Sequence, residues 1–169
     1  MSPPGRPKGE FPLGGTARSA KGAPIIPRRI AAWLSGVWAG LLLGVGFIAA
    51  PTGFAAAPAE VAGRIASRLF AQEADFSLAL AVLLLLLLRQ VARDAARMRL
   101  GSVFSTDMLL VLGTLFCTVA GTFAVQPMMA AAKAGQAAVS FSALHGVSAG
   151  LFALKALLVL ALAWRLSAP

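Results

Sequence analysis

Three polar side chains that could share one helix face sit inside an apolar run that contains neither an acid nor a proline. His145, Ser148 and Lys155 lie within Phe141–Trp164, FSALHGVSAGLFALKALLVLALAW. At helical periodicity they share one face, with Gly146 and Gly150 on a small-residue stripe beside it that favours close helix packing. His145 is the chain's one histidine, and Lys155 is the one lysine inside an apolar run. An ionised lysine near a bilayer midplane costs about 2.5–3.5 kcal/mol on insertion scales, so it should face other helices or water. Lys155 lies roughly 13 Å from Trp164 at helical rise, too deep for easy snorkelling.

A second polar stripe precedes it. Asp107, Thr114, Thr118 and Thr122 fall within about 80° of one another on a helical wheel. If the two segments run antiparallel, Thr114 is level with Lys155 and Thr122 with His145, so the stripes are expected to face and satisfy each other. Asp107 is the nearest counter-ion for Lys155, although about 9 Å off in depth. The lysine also leans away from it, toward its own helix N-terminus. A water- or threonine-assisted link is therefore expected in preference to a direct pair. The other reading of Asp107, slightly the stronger, is an acid placed near a helix N-terminus, where the dipole favours it.

The chemistry open to these groups is limited. Ser148 is one turn from His145 but has no orienting acid and no oxyanion site, so no catalytic residue is assigned. Membrane four-helix haem proteins usually need two axial ligands per haem, and one histidine cannot supply both. His145 with Cys117, Met128 or Met129 would be a donor set for a soft metal such as Cu(I). Nothing in their spacing requires it, so neither metal nor cofactor is expected. A single cysteine excludes an internal disulfide.

The elements that position these residues follow from composition. Hydrophobic residues make up 59% of the chain and charged residues 12%, with mean hydropathy +0.82. That is well beyond the soluble norm and implies an integral membrane protein. The net charge of +9 comes from Lys and Arg clustered beside apolar runs. That arrangement sets membrane orientation, and no basic face interleaved with aromatics points to nucleic acid.

Residues 1–28 form a basic, proline-rich segment expected to be a disordered tail. A four-helix membrane domain is expected over 29–167, with spans at 30–50, 71–92, 104–125 and 141–164. The first should end at Pro51 and Gly53, the third at Gln126 and Pro127. A cleaved secretory signal competes for the first run, with Ala55 and Ala57 as small residues at the cut; such cores are usually about 7–15 residues, shorter than this one. Gly36, Gly40 and Gly44 recur every four residues, a face on which a partner backbone can approach closely. Trp33 fits an interfacial anchor. Residues 58–70 read as a short interfacial amphipathic helix, with Glu60, Arg64 and Arg68 on one face and Val61, Ile65 and Leu69 on the next. In the second span, Glu73 and Asp75 would sit near one end and Arg89 at the other. The expected fold class is an all-α four-transmembrane-helix bundle with that interfacial helix between the first and second spans.

Counting Lys and Arg places eleven on the side of the tail, the 89–99 loop and Arg165, and three on the other. Both termini are therefore expected in the cytoplasm.

Several landmarks resemble one family. They are Trp38–Ala39–Gly40, Ala50–Pro51 with Phe54, Ala62–Gly63–Arg64 leading to Leu69–Phe70, Gln126–Pro127–Met128, and Phe141 with Leu144–His145–Gly146 and Ser148. In order and spacing they look like the small membrane proteins of domain-of-unknown-function family 4149, which includes relatives of eukaryotic transmembrane protein 205. The resemblance covers roughly residues 30–166. It implies a four-span bundle in the plasma (bacterial inner) membrane and no activity; Lys155 maps onto no motif of it.

The expected function is a non-enzymatic interaction or accessory module. Its partners would be the lipid bilayer and either a homo-oligomer or other membrane proteins, with no nucleic acid. The alternative is a small-solute or metal-ion carrier or pore that works as an oligomer, with Lys155, Thr114, Thr118 and His145 lining a path between the third and fourth spans.

Overall fold

The computed structural model describes residues 25–97 and 105–168. Most of the basic tail, Arg99 and the Gly101–Ser102 break therefore lie outside the described residues. Within them the chain is helical and forms four helices long and apolar enough to cross a membrane: Ile26–Ala56, Ala59–Arg93, Thr106–Lys133 and Phe141–Ser167.

The first is built from α1 (Ile25–Leu43), a π-helical turn at Gly44–Ala49 and α2 (Ala50–Ala56). The third repeats that plan with α4 (Thr106–Val119), a π-helical turn at Ala120–Val125 and α5 (Gln126–Lys133). Both continue past the prolines expected to end them. Proline lacks an N–H and its ring clashes with the carbonyl four residues back. The π turn shifts the register just ahead of it. Ala50 N–H bonds to Val45 O and Gln126 N–H to Gly121 O, each five residues back, so Pro51 and Pro127 enter as first-turn residues of a new α segment. α5 stops instead at Gly135, whose φ of +71° closes the helix. Gln136 N–H reaches Ala131 O and Gly135 N–H reaches Ala132 O.

The second span corrects another expectation. There is no separate interfacial helix at 58–70. α3 runs unbroken from Ala59 to Arg97, so that segment forms its first turns. The chain from Arg64 to Leu100 has neither glycine nor proline to interrupt it. α6 spans Phe141–Ser167, with the Ser140 hydroxyl accepting from Ala143 N–H at its start, as Ser105 does from Met108 for α4.

Around the bundle, α1 packs on α3 and α6, and α4 packs on the same two, so α3 and α6 stand across a diagonal. The two helical hairpins follow one burial plan. Positions 82 residues apart pair off: Ala62 with Leu144, Glu73 with Lys155, Ala74 with Ala156, Ser77 with Val159, Leu84 with Leu166, all buried. Phe70 and Phe152 bear the same relation and meet edge to face at 5.3 Å. Glu73 with Lys155 and Phe70 with Phe152 thus face each other across the bundle axis.

The half nearer the termini is solid. Trp38, Leu42, Leu84, Val111, Val159 and Leu162 are sealed inside it. The half nearer the hairpin turns is hollow.

Candidate functional site

On the diagonal, near mid-length, Lys155 meets an acid that was expected near a span end. The Lys155 ammonium donates to both oxygens of Glu73, at 2.9 Å to Oε1 and 2.8 Å to Oε2. Each residue is 4% exposed. Because α3 begins at Ala59 and not near Ala71, Glu73 lies almost four turns inside its helix and level with Lys155. Asp107 is not the counter-ion. It sits in the first turn of α4, at the termini end, and accepts from Arg165 Nε at 2.7 Å.

Glu73 is held from its other side by a buried chain. Trp38 Nε1 donates to Ser77 Oγ at 2.9 Å, and the Ser77 hydroxyl donates to Glu73 Oε1. Trp38 and Ser77 are both completely buried. A buried pair is tolerable when the geometry is good and the remaining lone pairs are satisfied; among the described residues no buried side-chain nitrogen or oxygen lacks a partner.

Above the pair opens a cavity of about 550 Å³. Its floor is Glu73 and Lys155, with Cys117 and Thr118; its walls include Phe70, Phe152, Thr122, Ser148 and Met129. Both π turns border it, through Gly46 and Gly121–Thr122. At the mouth Lys133 lies 5.0 Å from the centroid of Phe141, and that ring stacks on His145 at 5.9 Å. Lys133, Phe141 and His145 are exposed, so the cavity opens at the hairpin end.

The expected polar residues are thus partly gathered. Lys155, His145, Ser148, Thr118 and Thr122 line one space. The two stripes do not satisfy each other as expected: Thr114 Oγ1 donates to Val111 O at 2.6 Å and Thr118 Oγ1 to Thr114 O at 2.9 Å, both within α4. A threonine hydroxyl reaches its own preceding turn more readily than a neighbouring helix. Thr114 is fully buried and lies outside the cavity lining. Cys117 and Met129 share the cavity with His145, whereas Met128 does not line it. Among the described residues no three His, Cys, Asp or Glu side chains are grouped to hold a metal.

The glycine expectations are redistributed. Gly36, Gly40, Gly44, Gly146 and Gly150 meet no other atoms where a side chain would project, so none of them supports packing inside the bundle. Close approach occurs at Gly46, where an added Cβ would lie 2.8 Å from Phe152 Cε1, and at Gly113, 3.0 Å from Leu158 Cδ1. Trp33 is 76% exposed, as suits an anchor at the membrane surface.

Reasoning from sequence missed Glu73 as the partner, and with it Ser77 and Trp38. The available signal was the missing break after Gly63: one continuous helix puts Glu73 deep, and Ser77 follows it at i+4 on the same face.

Comparison with known proteins gives a family model described as "Domain of unknown function (DUF4149)", which matches residues 33–138. The match takes in Trp38, Glu73 and Ser77 and ends before α6, so it is shorter than the resemblance read from the motifs, and Lys155 and the Phe141–Ser148 landmarks lie beyond it. No curated protein and no solved structure matches the chain.

Proposed function

We propose a role for a chain that belongs to the DUF4149 family of membrane proteins: a non-enzymatic binding module, embedded in the plasma membrane, that holds a small ligand in its hollow half and so serves as an accessory component. One observation carries this reading. The cavity enters from the hairpin end and stops on the Glu73–Lys155 pair, with tightly packed side chains beyond. A concave site of this size, with apolar walls and a few convergent polar groups, suits a small molecule.

Among the described residues the termini half is filled by the buried side chains of Trp38, Leu42, Leu84, Val111, Val159 and Leu162, which argues against a standing pore. The carrier reading draws support from the polar groups that descend to mid-length, and it would require Trp38, Leu84 and their neighbours to separate. The termini end carries Arg28, Arg29, Arg89, Arg93 and Arg165, which favours placing it in the cytoplasm of a bacterial inner membrane, with the cavity facing outward. Self-association is the remaining part of the proposal, through the uncovered Gly36–Gly40–Gly44 face.

Cys117 supplies the test, since it is the one cysteine and lies on the cavity floor. In sealed vesicles of known orientation, membrane-impermeant 2-sulfonatoethyl methanethiosulfonate should label Cys117 from the hairpin side only. A cysteine placed at Thr122 in a Cys117→Ser background repeats the test higher on the wall. Absence of labelling at both positions in folded protein would overturn the binding reading. Solute uptake by the same vesicles would replace it with the carrier.

A further inference from the structure

We infer that the ligand of this cavity is a small organic carboxylate, with its anionic group against the Lys155 ammonium and its apolar part against the Phe70 and Phe152 rings that line the wall. The inference rests on the binding reading above and specifies its ligand class.

Charge sets the sign. Four ionisable side chains besides the Cys117 thiol line the space: Glu73, Lys133, His145 and Lys155. Glu73 is the one acid, and its charge is matched by Lys155 through two hydrogen bonds, with a third contact from Ser77. Lys133 at the mouth has no acid among the lining residues to balance it. The lining therefore carries one unmatched positive charge, at the mouth, which draws anions toward the space.

Donor supply points the same way. An ammonium has three donors. Two are taken by Glu73, and the third has no protein acceptor among the described residues. Lys155 Nζ lies 5.2 Å from the Phe152 ring centroid, at the cavity floor. A carboxylate there would accept a charge-assisted hydrogen bond, the stronger kind. The depth profile excludes a lipid tail as occupant. An acyl chain would lay its hydrocarbon end on an ion pair and gain nothing over its place in the bilayer.

The experiment uses the full-length protein in vesicles and follows the rate at which the thiosulfonate labels the cysteine at Thr122 in the Cys117→Ser background. The probes are benzoate, its neutral analogue benzamide and the cation benzylammonium. At ten times its Kd, benzoate should slow labelling by about ten-fold. Benzamide and benzylammonium should not slow it. The Glu73→Gln/Lys155→Met double variant removes both charges without stranding one, and in it benzoate protection should disappear. Lys133→Gln should weaken protection by a few-fold while leaving Lys155 in place.

Protection by benzylammonium with none by benzoate would overturn the inference and reassign the site to cations. Equal protection by all three probes would overturn it by showing that shape alone selects. Normal labelling that no probe slows would sink the carboxylate while leaving an accessible cavity. A cysteine that never reacts would remove the cavity, and the inference with it.

Discussion

The two halves of the bundle use the same four helices in opposite ways. Toward the termini, α1, α3, α4 and α6 close on Trp38, Leu84, Val111 and Leu162, none of which keeps exposed surface. Toward the hairpin turns, the same helices carry two π turns and stand around a cavity of about 550 Å³. The boundary is the Glu73–Lys155 pair, which spans the diagonal that the solid half fills with hydrocarbon. In a membrane, apolar contact between helices adds little over contact with lipid, so buried polar links and close packing hold such a bundle together. The pair is therefore the element whose loss should be felt most.

Lys155→Met alone would leave Glu73 buried and uncompensated. The expected loss is about 3–5 kcal/mol, as for other buried pairs broken from one side. Thermal unfolding in detergent measures it. A scaffold and a carrier would both suffer, so this single change does not separate them. Exchanging the two charges does sharpen the comparison. Because the hairpins place Glu73 and Lys155 at equivalent positions, Glu73→Lys/Lys155→Glu should recover most of the lost stability. Ser77 can accept from the new ammonium as well as from Trp38, its own hydroxyl hydrogen turning to the backbone carbonyl of residue 73 one turn back. A double variant as unstable as the single one would show that the two hairpins are not interchangeable at their centre.

The next contrast lies between hydrocarbon on either side of the pair. Leu84 has no exposed surface in the solid half, whereas Met129 lines the cavity and is half-buried. Leu84→Ala should cost about 2–3 kcal/mol, the low end of the usual range, because lipid offers the unfolded helices an apolar refuge. Met129→Ala should cost under about 1 kcal/mol, since it enlarges a space already open. Equal losses would erase the distinction between halves.

Hydropathy is a property along one dimension, and it read the four spans and the arginine-rich side directly. What it could not carry was register. A π turn has no hydropathic signature, so Pro51 and Pro127 looked like helix ends when each begins a new segment. Treating 58–70 as a separate helix then moved Glu73 from the middle of a span to its edge and left Asp107 as the nearest acid. α6 has no continuous polar stripe, so its inward face was marked only by His145, Ser148 and Lys155. The gathering of Thr118, Thr122, His145 and Ser148 on one side was legible from angle. The exclusion of Thr114 from that space was not: Thr114 and Thr118 share a face and both bond to their own helix, and only Thr118, one turn nearer the hairpin end, reaches the cavity.

Glycines give the finest test of which surfaces are packed. Gly46→Ala would drive a methyl to 2.8 Å from Phe152 Cε1, a ring already set edge to face on Phe70. Phe152 must swing, at a cost of about 1–2 kcal/mol, and the cavity floor moves with it. Phe152→Leu should relieve that cost. Gly40→Ala, on the same helix, meets nothing within 4 Å and has an ordinary helical backbone. It should be neutral or stabilising by up to about 1 kcal/mol, the gain of alanine over glycine in a helix. The pair of melting temperatures decides the matter. A loss at Gly40 comparable to that at Gly46 would mean that a second helix covers the open glycine face in the membrane, and cross-linking of the folded protein would then find that face in an oligomer.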